Sequence, residues 1–111
     1  MQHEYRKWSI WYTVKFPFDE DKTQGKSRPA LLISGVAGDT VMAVKISSTQ
    51  IATDKCYKIE QWKQAGLDHE SYIHLDSKSQ LTTDMLIRKI GDLSTNDILL
   101  LQQRGQARGL N

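Results

Sequence analysis

Short runs of β-branched and aromatic residues, each closed within about ten residues by glycine, proline or clustered polar side chains, limit what this chain can fold into. The first, SIWYTVKFPF at residues 9–18, alternates: Ile10, Tyr12, Val14 and Phe16 share one face, Trp11, Thr13 and Lys15 the other. Pro17 has no N–H for a ladder and ends the strand. DEDKTQGKS is a polar connection, and ALLIS after it is apolar on both faces, as a central strand is. GVAGD is a hairpin turn. TVMAVKISS alternates again, with Met42, Val44 and Ile46 one way and Lys45 and Ser47 the other. A short strand is expected around Tyr57 to Ile59, and EQWKQAG predicts one or two turns of helix ended by Gly66 in the left-handed conformation. SYIHLD places Ile73 and Leu75 on one face and Tyr72, His74 and Asp76 on the other. MLIRKIGDL is a last strand, broken near Gly91. LSTNDILLLQQRG is a short terminal helix with Ser94 as N-cap and Asp97 completing a capping box. The pattern predicts a mainly β chain: a small antiparallel barrel with one short interposed helix and a C-terminal helix.

With 111 residues, the chain is expected to form a single domain over 1–111. Hydrophobic residues at 39% and charged residues at 25% describe a soluble protein. The net charge of +2 announces no polyanion surface, so a cationic site must come from local arrangement. One cysteine, Cys56, excludes an intramolecular disulfide and reads as a buried thiol in a reducing compartment. MQHEYRKW lacks a signal-peptide core, and no apolar run is long enough for a membrane span, so a cytoplasmic location with no membrane partner is expected. P-loop, dinucleotide, Ser-His-Asp and HExxH patterns are all missing. Asp19, Glu20 and Asp21 have no second oxygen cluster at matching spacing, so no metal or other cofactor is expected.

In KTQGKSRPALLIS a polar loop turns directly into a core strand at Arg28-Pro29. A residue before proline is held extended, so Arg28 is fixed where the loop ahead of it is free. A guanidinium so held can offer a planar fork to a phosphate; it can equally solvate a strand end. Ser47 and Ser48 close an apolar strand, where hydroxyls commonly bond the next turn. His74 and Asp76 share one face of a strand that is half wet. Residue chemistry alone leaves function open.

The order of segments narrows it. IWYTVKFPF, a glycine-bearing polar loop, KSRPALLIS, VMAVKISS, AGLDHESYIHLD and IRKIGDLS together resemble the MazF/PemK family of toxin endoribonucleases from bacterial toxin–antitoxin systems, over roughly residues 8–101. The resemblance implies an SH3-like barrel of the MazF/CcdB type, forming a homodimer. It implies metal-independent, sequence-specific cleavage of single-stranded mRNA, in which the RNA's own 2′-hydroxyl attacks the adjacent phosphate. It also implies restraint by a cognate antitoxin protein. The family's catalytic arginine falls on Arg28, and its hydroxyl residue on Ser47, which would donate to a phosphate oxygen. An Arg and an Asp two apart, catalytic in one branch, fall on His74 and Asp76, the expected acid/base pair. The loop from Asp19 to Ser27 is expected to border the RNA groove. Glu20, Lys22, Gly25 and Lys26 on it, with Ser48, are the expected substrate contacts. Where many members carry Gln-x-Arg-Thr-x-Asp between the fourth and fifth strands, this chain has Ser77-Lys78-Ser79-Gln80-Leu81-Thr82.

Two other classes fit a small β chain of this kind. A CcdB-like gyrase poison would use a tryptophan near the C-terminus, whereas Trp8, Trp11 and Trp62 precede a tail reading ARGLN. A non-catalytic SH3-like module would bind RNA or protein without cutting it.

Overall fold

The computed structural model describes residues 5–18 and 23–105. Six strands form one antiparallel sheet in the order β4-β5-β3-β2-β1-β6. They are β1 (Ser9–Pro17), β2 (Gly25–Leu32), β3 (Thr40–Ser47), β4 (Cys56–Lys58), β5 (Tyr72–Thr82) and β6 (Leu86–Asp92), with helix α1 at Thr95–Gly105. A 3-10 turn, Thr83–Met85, joins β5 to β6.

The sheet has apolar cores on both faces. Ile10, Leu31, Val44 and Ile73 gather on one side with Leu101 of α1, and Trp11, Phe16, Ala30, Leu32, Val41 and Leu81 gather on the other. This is why Ala30, Leu31 and Leu32 are all fully buried and why β2 reads as continuously apolar. The alternation expected of β1 breaks halfway. Between Thr13↔Arg28 and Phe16↔Lys26, β1 advances three residues while β2 advances two. One residue is bulged out, Lys15 takes φ 55, and Phe16 moves to Trp11's side of the sheet. The polar connection is also shorter than expected, because β2 already begins at Gly25.

The expected barrel closure is not formed by strand pairing, and the sheet is open. β4, with three residues, and β6 are its unpaired edges. The chain after β4 bridges them instead. A Cβ on Gly66 would lie 2.3 Å from the Ile90 carbonyl oxygen, and one on Gly91 would lie 2.1 Å from that of Ala65. Backbone meets backbone there, which only glycine permits.

The expected interposed helix is a single turn. Ala65 N–H bonds the Gln61 carbonyl, then Gly66 N–H bonds Lys63 and Leu67 N–H bonds Trp62, with Gly66 at φ 90. The last two bonds are a Schellman closure around a left-handed glycine, so the stop signal is as expected but follows at once on the start. β6 is continuous through Gly91, and its irregularities are register shifts against β1 on either side of the Trp11/Tyr12 pairs.

Ser94 caps α1 as expected, its Oγ accepting from Asp97 N–H at 3.1 Å. Asp97 bonds the Ser94 hydroxyl rather than its N–H, so the reciprocal half of the expected capping box is replaced by a wider cluster. Its fully buried carboxylate accepts from Tyr57 Oη at 2.5 Å, from the Glu60 and Gln61 amides at 2.9 Å each, and from Ser94 Oγ at 3.0 Å. Burial, and then the hydrogen bond to Asp97, push the Tyr57 phenol well above its ordinary pKa. At the other end of α1, Arg104 donates to the carbonyls of Thr53 and Cys56.

Candidate active site

The β2–β3 ladder runs Leu32↔Ala43, Leu31↔Val44, Ala30↔Lys45 and then stops. Two steps beyond the Ala30↔Lys45 pair, the same register would set Arg28 opposite Ser47. Pro29 contributes no N–H at this point, and the strands part. Arg28 itself remains paired to β1: it lies opposite Thr13, whose Oγ1 donates to its carbonyl at 2.8 Å. A cation is thus fixed by its backbone at a fork between two strands.

β5 opens the same place from the other side. Between Val44↔Lys78 and Ile46↔Ile73, β3 advances two residues while β5 advances five. The excursion carries His74, Asp76 and Ser77 to a groove of about 720 Å³ that Arg28, Ser47 and Lys26 also line. Arg28, Ser47 and Lys26 in turn form part of the wall of a second cavity, of about 330 Å³, between β1, β6 and residues 66–71.

Arg28 is half-buried, and its Nε is fully buried with no hydrogen-bond partner among the described residues. A buried donor left in that state costs free energy, and an anionic oxygen would satisfy it. Ser47 Oγ accepts from Thr49 N–H at 3.1 Å, which leaves its own hydrogen available to donate. His74 is 4% exposed, with Nε2 2.8 Å from the Thr49 carbonyl. A carbonyl only accepts, so Nε2 carries a proton. Asp76 is exposed on the same groove. Among the described residues the groove carries Lys26, Arg28, Lys45 and Lys55 against the carboxylate of Asp76. A net charge of only +2 therefore conceals a concentrated cationic site.

The structure thus brings together Arg28, Ser47, His74, Asp76 and Lys26 in one groove, and puts Ser48 in the neighbouring cavity. Gly25 lines neither cavity. A Cβ there would lie 2.3 Å from the Lys15 carbonyl oxygen, so the glycine accommodates the β1 bulge. Glu20 and Lys22 lie outside the described residues. Reasoning from the sequence passed over Tyr12, Lys45, Lys55, Asp68 and Arg88, which also line these cavities. Lys45 was recoverable, since it alternates onto Ser47's face. Arg88 lies within IRKIGDLS, where nothing in the local pattern separates it from Lys89.

An open antiparallel sheet backed by a C-terminal helix, with a fixed arginine at a strand fork, defines a class of small cationic β proteins. The model of the PemK-like, MazF-like toxins of type II toxin–antitoxin systems matches residues 6–105, and the chain belongs to that family. Solved structures agree on the fold. Mycobacterium tuberculosis toxin MazF-mt6 superposes with a TM-score of 0.70 at 18% identity, covering 89% of this chain and 93% of that one. An endoribonuclease from a mycobacterial species gives 0.70 at 13% identity, covering 96% and 92%. A mycobacterial endoribonuclease in complex with its cognate antitoxin gives 0.67 at 17%, covering 95% of each chain. No curated protein matches the chain in sequence.

Proposed function

We propose that this toxin is an endoribonuclease that cuts single-stranded mRNA at short sequence motifs. The observation that carries the reading is Arg28, half-buried at a strand fork with an Nε unpartnered among the described residues, lining a groove with Ser47 and three lysines. Family membership, and the endoribonuclease activity named for two of the structural relatives, support it.

In this reading Arg28 binds a non-bridging oxygen of the scissile phosphate and stabilises the charge that grows on it in the transition state. Ser47 donates to the second oxygen. The RNA's 2′-oxygen attacks the adjacent phosphorus, the P–O5′ bond breaks, and the products are a 2′,3′-cyclic phosphate and a 5′-hydroxyl. One proton leaves the 2′-oxygen and one reaches the 5′-oxygen; His74 and Asp76, both on the groove, would move them. Lys26, Lys45 and Lys55 hold the flanking backbone. The reaction needs no metal because the nucleophile belongs to the substrate. We further propose a homodimer that builds a longer RNA groove from two copies, and an acidic antitoxin segment that competes for the same cationic surface. The mycobacterial endoribonuclease of the same fold, solved in complex with its cognate antitoxin, supports an antitoxin partner.

The test is incubation of the pure protein with a long unstructured RNA in EDTA, followed by analysis of the fragment ends. Cyclic phosphate termini, with no cutting of DNA or of RNA methylated at the target 2′-oxygen, are expected. Activity that requires a divalent ion, or an RNA left intact, would overturn the reading.

A further inference from the structure

The smaller cavity is not needed for phosphate chemistry, yet it shares the Arg28–Ser47 wall with the groove that is. At about 330 Å³ it is at the lower end of pockets that hold a small organic ligand, roughly 300–1,000 Å³. Tyr12 from β1 and Arg88 from β6 enter it as a pair, the guanidinium carbon 5.8 Å from the ring centroid. Pro29, Ile46, Leu67 and Ile90 supply apolar wall. Asp68 is on the exposed rim, in the turn that follows Gly66.

An aromatic ring beside an apolar wall forms a stacking platform for a splayed-out nucleobase, with the neighbouring guanidinium able to donate to the base's edge. The polar groups determine which base fits best. Guanine alone presents two adjacent donors, N1–H and N2–H₂, to a carboxylate, and two adjacent acceptors, O6 and N7, to a guanidinium. Asp68 and Arg88 are one of each kind. Adenine and cytosine offer a carboxylate only their exocyclic amino group, and uracil only N3–H.

We infer that the Tyr12–Arg88 cavity is a base-specificity pocket that seats an unpaired guanine next to the phosphate held at Arg28. The inference rests on the endoribonuclease reading only for what occupies Arg28. It makes the pocket, rather than the cationic groove, the part of the protein that reads sequence, with Asp68 as the reading residue and Tyr12 as the platform.

The probes are four fully 2′-methoxylated uridine oligonucleotides that differ only in one central base, titrated against the wild type by fluorescence anisotropy. Central guanine should bind roughly tenfold more tightly than the other three, the scale of one bidentate base contact. Asp68→Asn, a change on an exposed rim, should reduce that preference to less than about threefold while leaving the other probes unaffected. Tyr12→Leu should weaken the guanine probe by roughly tenfold, and Tyr12→Phe, which keeps the ring, should restore it. Equal binding of all four probes by the wild type, or an unchanged guanine preference in Asp68→Asn, overturns the pocket. No bond breaks in this assay, so a failed nuclease reading remains distinguishable: the guanine preference would persist in a protein that leaves unmodified RNA intact. Conversely, cutting that ignores the flanking base would leave the nuclease reading standing and remove the pocket.

Discussion

Replacing Arg28 with methionine should make the protein more stable and nearly inactive at once. The native Nε is buried without a partner among the described residues, and a buried donor in that state costs about 1–3 kcal/mol. Methionine keeps an unbranched stem to pack against Pro29 and removes the orphan. The guanidinium's remaining N–H groups belong to a half-exposed residue and lose little when removed. The net expectation is a gain of about 1 kcal/mol, or roughly 4 °C in melting temperature for a chain of this size. A fixed surface arginine with its donors in water would have shifted stability by less than about 0.5 kcal/mol in either direction, so the sign comes from the orphan. Cleavage should fall by roughly 10²–10³-fold, the effect of removing one donor to a developing oxyanion. Urea unfolding reads the first quantity as a shift in midpoint at constant slope, and a fluorogenic RNA in EDTA reads the second on the same preparation. Inorganic phosphate should raise the wild-type midpoint and leave that of the methionine variant unmoved. A variant less stable than wild type at unchanged slope, or one that cuts RNA at the wild-type rate, would refute the reasoning.

Three further outcomes test the frame that holds the site. Asp97→Asn places an amide where two buried oxygens each accept two donors, and should cost about 2–4 kcal/mol by urea unfolding; a loss below about 1 kcal/mol would show the cluster to be dispensable. Tyr57 is held neutral by burial and by Asp97, so its folded pKa lies above its unfolded value of about 10. The unfolded state then loses its proton first, and stability present below about pH 10 should decline as pH rises beyond it; Tyr57→Phe should remove that part of the decline, and an identical alkaline profile would contradict it. Gly91→Ala pushes a Cβ to 2.1 Å from the Ala65 carbonyl oxygen and should destabilise by about 1–3 kcal/mol, whereas Gly35→Ala meets nothing within 4 Å and should be neutral or slightly stabilising; thermal melts of the two variants should separate clearly.

Features set by neighbouring residues were legible in the sequence. The six strands, the left-handed Gly66, the Ser94 cap and the both-faced burial of Ala30 to Leu32 follow from turn chemistry and apolar runs a few residues long. Features set by a partner strand were not. Phe16 was assigned to Ile10's face because alternation assumes no bulge, and the bulge between Thr13 and Phe16 shows only against β2. The same blindness applies to β5. Strand alternation put His74 and Asp76 on one wet face, but the five-for-two excursion buries His74 and leaves Asp76 exposed while keeping both on the groove. Sequence alone also left Ser77–Thr82 outside the strand, whereas β5 runs through it to Thr82. The barrel was over-closed for a related reason. Counting strands does not reveal that the chain after β4, rather than a strand ladder, meets the backbone of β6 at Gly66 and Gly91.

The candidate site lies where the sheet gives up its regularity, and this explains why its parts look unremarkable one by one. An arginine before a proline, a serine ending a strand and a histidine in a half-wet strand each have an ordinary explanation. Their meeting depends on two departures from the ladder: β2 and β3 stop pairing at Ala30, and β5 takes five residues where β3 takes two. The two departures together open a concave space beside fully buried strand residues such as Ala30, Ile46 and Leu75. The rigid side of the fork, with Thr13 bonded to the Arg28 carbonyl, fixes where the guanidinium starts. The open side gives its Nε no partner among the described residues. A donor held in place and left unsatisfied is preorganised for an anion, and an oxyanion that reached it would recover the free energy it forfeits.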